Sequence, residues 1–324
     1  MTTDCQLSVE AVSIRYGTVL AVRELSFVVR AGEMYALLGP NGSGKSSTLG
    51  AIAGNLLPAE GSIRVRGICR REKPAEYARL VGVVYQEPAL YEELTARQNL
   101  ELFGGLYGLR NPMLRRRIVD ALNRVRLAER ADERLAGFSG GMLRRINLAC
   151  ALLHTPAVLL LDEPTVALDP ESRDALFATL ARLRESGCAI VLTTHHLEEA
   201  EMWCDRVGIL REGKLIAEGR PADLLRQTSD RSIIHGQLRE TIPGDDADAL
   251  RKSLGPTVEL RISGRRLTLS AADGAGLGRA LARLHERGVM LESFRTPPPR
   301  MECLFDGASD LSADNHRENS CTPA

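Results

Sequence analysis

From Leu7 to about Gly32 the chain alternates apolar or β-branched residues with polar ones (LSVEAVSIRYG, TVLAVRELSFVVRAG), a period of two that predicts a hairpin of strands. A short buried strand is expected from Glu33 to Leu38, a helix from Lys45, and further strands at GSIRVRG and LVGVVYQ. The period then lengthens to helical spacing from about Thr95 to Leu153, most clearly in TARQNLELFGGLYGL and PMLRRRIVDALNRVRLAER, so this block reads as a helical insertion. Strand chemistry returns at AVLLLDEP, an apolar run suited to a parallel strand covered on both faces. The helix PESRDALFATLARLRESG, strand AIVLTTH, helix LEEAEMWC and hairpin VGILREGKLIAEG follow, which is the alternation of an α/β domain.

Beyond Gln227 the periods become shorter and the predicted order is strand SIIHGQL, helix DALRKSL, strands TVELRIS and RRLTLSA, helix LGRALARLHERG and strand VMLESF. That order is the β-α-β-β-α-β arrangement of a small ferredoxin-like α+β domain. The expected division is a first domain over 1–226, with a helical subdomain over about 88–155, an accessory domain over 227–306 and a tail over 307–324. The tail is small and polar and is expected to be disordered.

Composition narrows the classes. Lysine plus arginine equals aspartate plus glutamate at 42 each, so no net field draws the chain to nucleic acid or an anionic membrane. The seven cysteines are scattered with no CxxC pair, which suits reduced thiols in a cytosolic setting. The opening MTTDCQLSVE lacks a basic segment followed by an apolar run, so no secretory signal is expected. The most apolar stretch, Leu148 to Leu161, is interrupted by His154, Thr155 and Pro156, so no spanning helix is expected either. Membrane work would need another polypeptide. The basic runs Arg115 to Arg117 and Arg144–Arg145 read as solvated helix faces with no aromatic platform, and no nucleic-acid partner is expected.

The strongest chemical signal is Gly39, Pro40, Asn41, Gly42, Ser43, Gly44, Lys45 and Ser46, followed by Ser47: a GxxxxGK[ST] loop between a predicted strand and a predicted helix. Its glycines let backbone N–H groups turn inward around phosphates, and the helix N-terminus adds positive potential. Lys45 would hold the β- and γ-phosphates and Ser46 a Mg²⁺ ion. Further on, LLLDE places Asp162 and Glu163 at the end of a buried strand. Asp162 suits the metal and Glu163 the attacking water.

The segment Phe138, Ser139, Gly140, Gly141 and Met142 resembles the signature loop, usually LSGGQ, of ATP-binding-cassette ATPases, and the resemblance covers Leu7 to about Arg226. It implies a phosphate-loop core with a RecA-like sheet, an antiparallel β subdomain and a helical subdomain. It also implies an ATP-sandwiched homodimer in which Ser139, Gly140 and Gly141 meet the γ-phosphate held by the second copy. Four further positions fit the family: Tyr16 to stack on adenine, Gln86 to reach Mg²⁺ and water, Asp169 to connect the two sites, and His195, with His196 beside it, as the switch histidine. Phe138 and Met142 depart from the usual leucine and glutamine. The SGGM form, the segment ALYEELTARQNLELFGGLYGL and the ending PPPRMECLF resemble exporter ATPases of the second type, among them drug-resistance, sodium-export and nodulation-factor relatives.

The resemblance implies an ATPase held peripherally on the inner face of the membrane by a separately encoded transmembrane permease. An importer subunit and a soluble ATPase acting on ribosomes or DNA remain alternatives. A module that binds nucleotide without catalysis is disfavoured because Glu163 and His195 are both present.

Overall fold

In the computed structural model, which describes residues 5–228, 232–255, 258–271 and 273–295, the first hairpin is β1 (Cys5–Tyr16) and β2 (Val19–Arg30). The buried run β3 (Met34–Leu38) leads through the glycine loop into α1 (Lys45–Ala53). Next come β4 (Glu60–Val65), the two-residue β5 (Ile68–Cys69), α2 (Pro74–Ala78) and β6 (Val81–Val84). Helices α3 (Ala96–Leu106), α4 (Met113–Arg124) and α5 (Gly140–Leu152) form the insertion. The core resumes with β7 (Val158–Asp162), α6 (Pro170–Glu185), β8 (Ala189–Thr194), α7 (Leu197–Trp203), β9 (Arg206–Arg211) and β10 (Lys214–Gly219). The remaining elements are α8 (Pro221–Thr228), β11 (Ser232–Leu238), α9 (Gly244–Leu254), β12 (Val258–Ser263), β13 (Arg266–Ala271), α10 (Gly274–Glu286) and β14 (Leu291–Arg295). Short β5, α2 and α8 are absent from the sequence reading, because a handful of residues carries no measurable period.

Two compact units divide at Pro221/Ala222. In the first, β2-β1-β4-β5 make an antiparallel sheet and β10-β9-β3-β8-β7-β6 a six-stranded sheet, parallel except for the β9–β10 hairpin. Both β3 and β8 are fully buried, which accounts for the apolar run of β3 and for that of β8 up to Leu192, since both faces of a parallel strand are covered. One core joins Leu49, Ala51 and Ile52 of α1 to Val12, Val22 and Leu25 of the antiparallel sheet and to Val158, Leu160 and Val191 of the other. This packing fixes the direction of α1, and with it the glycine loop at its N-terminus.

In the second unit the strand order is β12-β13-β11-β14, all antiparallel, with β11 and β13 central. With its β-α-β-β-α-β chain order, this is a ferredoxin-like arrangement. Its own core gathers Ile234, Leu250, Leu260, Leu269, Leu277 and Leu284. The PPPRMECLF segment, the polar tail, Cys303 and Cys321 lie outside the described residues, and the five described cysteines are free thiols. Among the described residues no helix is long and apolar enough to cross a membrane.

Candidate functional site

Three strands, β3, β7 and β8, end side by side, and their C-terminal edges carry the glycine loop, the acid pair and His195, at the edge of an open α/β sheet where ligands collect. Within the loop of Gly39, Pro40, Asn41, Gly42, Ser43 and Gly44, Gly44 has φ of +103°, and a Cβ there would lie 2.8 Å from the Ala21 carbonyl, so only glycine fits. Lys45 is buried and donates to the carbonyls of Gly39 at 2.7 Å and Pro40 at 3.1 Å. Burial pulls its ammonium below the ordinary lysine range, opposed by the charges of Glu163 and Asp162. Ser43 Oγ is buried and, among the described residues, has no hydrogen-bond partner.

Ser46 Oγ donates to Asp162 Oδ1 at 3.2 Å. Thr193 Oγ1 donates to the same oxygen at 2.6 Å and accepts from the Glu163 N–H at 2.9 Å. One buried hydroxyl therefore holds both acidic residues. Glu163 itself has φ of +42°, a left-handed conformation unusual for a non-glycine residue. His195 Nδ1 lies 3.4 Å from Glu163 Oε1, whereas His196 stands at the start of α7 without a side-chain capping bond and its ring lies 4.1 Å from that of His195.

A second buried network lies behind these loops. Glu199 of α7 accepts from Thr165 Oγ1 at 2.9 Å and from Thr194 Oγ1 at 3.1 Å, with Arg173 Nε at 3.8 Å. It ties the segment after Glu163 to the one before His195. Thr193, Thr194 and Glu199 escape a motif reading. Their available signal is two hydroxyl residues ending an otherwise apolar strand, since a hydroxyl buried there must find partners.

Tyr16, about half exposed, donates to Ser47 Oγ at 3.3 Å, which joins the end of β1 to the glycine loop. Gln86 follows β6, and its carbonyl accepts from Arg144 Nη1 at 2.6 Å. Ser139 caps α5 by accepting from Met142 N at 3.3 Å, so Gly140 and Gly141 lie in the first helical turn rather than ahead of the helix. Asp169 caps α6 through Ser172 N at 2.9 Å and Ser172 Oγ at 2.7 Å, and these bonds hold its carboxyl below the ordinary range. A Cβ on Gly141 would come within 2.3 Å of Ser172 Oγ, so the two helix starts abut and the signature residues and Asp169 form one group. Among the described residues no hydrogen bond or ion pair directly joins that group to the glycine loop, the acid pair or His195.

Both departures from the usual signature adjoin Arg130, whose guanidinium stands 5.1 Å from the Phe138 ring centroid and donates to Met142 Sδ at 3.2 Å. The basic pair of α5 corrects the expectation of a solvated face. Arg144 is buried, and half-buried Arg145 reaches the carbonyls of Gly141 and Val125 at 3.4 Å each. Helix α5 packs against β6 and against α3, α4 and α6, so neither arginine lies on an open face.

Among the described residues no group of three or more His, Cys, Asp or Glu could enclose a metal. The hydroxyl of Ser46 and the carboxylate of Asp162 are the hard oxygen donors that Mg²⁺ takes together with substrate phosphates, so the residues fit that ion.

Residues 22–166 match the family model described as ABC transporter. The linearmycin resistance ATP-binding protein LnrL of Bacillus subtilis is 41% identical over 70% of this chain and 73% of its own. Nod factor export ATP-binding protein I of Paraburkholderia xenovorans is 39% identical over 93% of this chain and 96% of its own. An ATP-binding cassette solved as a dimer in a post-hydrolysis state with ADP and Pi superposes with a TM-score of 0.60 at 27% identity, covering 66% of this chain and 98% of that one.

Proposed function

The chain belongs to the ABC transporter family as an ATP-binding, ATP-hydrolysing subunit, and on that premise we propose that it energises export through a separately encoded transmembrane permease. The observation that carries the proposal is the division of the site. Lys45, Ser46, Asp162, Glu163 and His195 converge at one sheet edge, while among the described residues Ser139, Gly140, Gly141 and Asp169 form a group with no direct bond to them. A site split this way is completed by a second copy, each supplying its signature loop to the other's nucleotide.

In this reading Lys45 and the loop N–H groups of residues 39–47 hold the β- and γ-phosphates, and Tyr16 lies under the adenine. Ser46 and Asp162 would hold Mg²⁺, which would supply charge neutralisation for the phosphate oxygens. Glu163 would accept a proton from water as the water oxygen bonds to the γ-phosphorus and the bond from that phosphorus to the β–γ bridging oxygen breaks, with ADP as the leaving group. Gln86 would orient that water. His195 donates to the γ-phosphate while Glu163 positions its ring, and Asp169 links one site to the other.

Export is supported by likeness to a resistance protein and a Nod factor export protein, the latter over nearly the whole length of both chains. Exposed Tyr85, Tyr91, Leu102 and Leu106 border the segment between β6 and α3, an apolar surface suited to a permease's cytoplasmic helices. Placement on the inner membrane face, and an accessory role for the C-terminal unit, belong to the same proposal. The test is purification from detergent-solubilised membranes followed by ATPase assay. Recovery of a multi-span permease that raises turnover is the expected result. A requirement for an external solute-binding protein would favour an importer, and recovery of ribosomes instead would overturn the proposal.

A further inference from the structure

Arg144 sits on α5 just past the signature residues at that helix's start, and it is only 6% exposed. Its Nη1 donates to two successive carbonyls, Tyr85 O at 2.9 Å and Gln86 O at 2.6 Å. Among the described residues no carboxylate lies within ion-pair range of it, and burial alone draws its guanidinium below the ordinary arginine range. A buried cation without a counter-charge is costly, so the carbonyls that receive it are held firmly. Asn147, further along the same helix, reaches Tyr85 O at 3.4 Å. From the other side Asn55, just past α1, donates to the Tyr85 hydroxyl. The peptide of Gln86 is thus fastened to the helix that carries the signature loop, and the side chain before it to the end of the helix that carries Lys45.

We infer that Arg144 is a positioning residue for Gln86, fixing its backbone so that the amide reaches the reacting water and making that placement depend on the position of α5. Signature-loop engagement by the second copy would then be felt at Gln86 through one helix and one guanidinium. The inference rests on the role proposed for Gln86.

The experiment is steady-state ATPase kinetics on the full chain carrying Gln86→Ala, Arg144→Met, Arg144→Lys and the Gln86→Ala/Arg144→Met pair, with thermal melts alongside. A lysine keeps the charge but lacks the planar fork of donors. Both Arg144 variants are expected to lose about tenfold to a hundredfold in kcat with KM for ATP changed little, as a misplaced water-orienting group requires. Their Mg²⁺ half-activation should rise, and adding Arg144→Met to Gln86→Ala should lower kcat by less than about twofold, since the two act as one unit. Multiplying losses in the pair would overturn the inference, as would unchanged kcat in the Arg144 variants. If Arg144→Met melts without cooperativity, Arg144→Lys and its pair with Gln86→Ala decide the matter. Wild-type turnover in Gln86→Ala would remove the role proposed for Gln86 and the inference with it, whereas a slow Gln86→Ala beside normal Arg144 variants removes the inference alone.

Discussion

Glu163 meets two demands at once: a left-handed backbone at φ +42° and a carboxylate 3.4 Å from His195 Nδ1. Such a conformation persists only where its surroundings hold it, and here the hold is the bond from its N–H to Thr193 Oγ1. Replacing Glu163 by Gln keeps the shape and removes the proposed base. ATP retention and dimerisation should persist while turnover falls by about 10² to 10⁴, checked by filter-bound nucleotide, light scattering and phosphate release. Thr193→Val is nearly isosteric, yet it deprives Asp162 of a donor and leaves the Glu163 N–H unpaired, a loss of about 1–3 kcal/mol in stability. Its kcat should drop about tenfold or more with ATP affinity kept, and Thr193→Ser should recover most of the rate. Equal rates for Val and wild type would show that the hydroxyl does not set the acid pair.

Elements place these residues through their ends. Helices α5 and α6 each begin at a capping side chain, Ser139 and Asp169, and α3 begins with a capping box of Thr95 and Gln98. The far end of α5 is held differently. His154 stacks on Tyr107 at 4.0 Å between ring centroids and sets Nε2 3.1 Å from Val81 O, and among the described residues its buried Nδ1 has no partner. Burial lowers its affinity for a proton below that of an ordinary histidine at 6.5, opposed in part by the Val81 carbonyl. Below about that pH the unfolded chain gains a proton that the folded chain resists, so this contribution to stability is present at neutral pH and lost on acidification. Urea midpoints at about pH 7.5 and about pH 5.5 should therefore separate more in the wild type than in His154→Gln, which keeps a donor but does not titrate. Equal separations would assign the acid sensitivity to other groups.

At the scale of the molecule, each unit has a core of its own, one drawn from residues between Leu7 and Leu215 and the other from residues between Ile234 and Leu291. A chain ending at Arg226 should therefore unfold cooperatively and bind ATP, measured by thermal melts with and without nucleotide. Both halves of the proposed composite site lie in the first unit, so ATP-dependent dimerisation of Glu163→Gln should survive the truncation. Loss of the dimer alone would assign its contacts to the C-terminal unit.

The sequence by itself determined what local chemistry can carry. A GxxxxGK[ST] loop demands glycine where φ turns positive, LLLDE demands a buried strand with an acidic end, and periods of two and of helical spacing separate strands from helices. The β-α-β-β-α-β order of the second unit was legible for the same reason. What only the tertiary structure decided were contacts between segments distant in sequence. Thr193 serves Asp162 because β7 and β8 pair in parallel with Asp162 opposite Thr193. Glu199 reaches Thr165 across 34 positions, and Arg144 reaches Gln86 across 58. A basic pair on a helix has the same local pattern whether it meets water or a buried carbonyl, and only the packing around α5 made Arg144 a buried one.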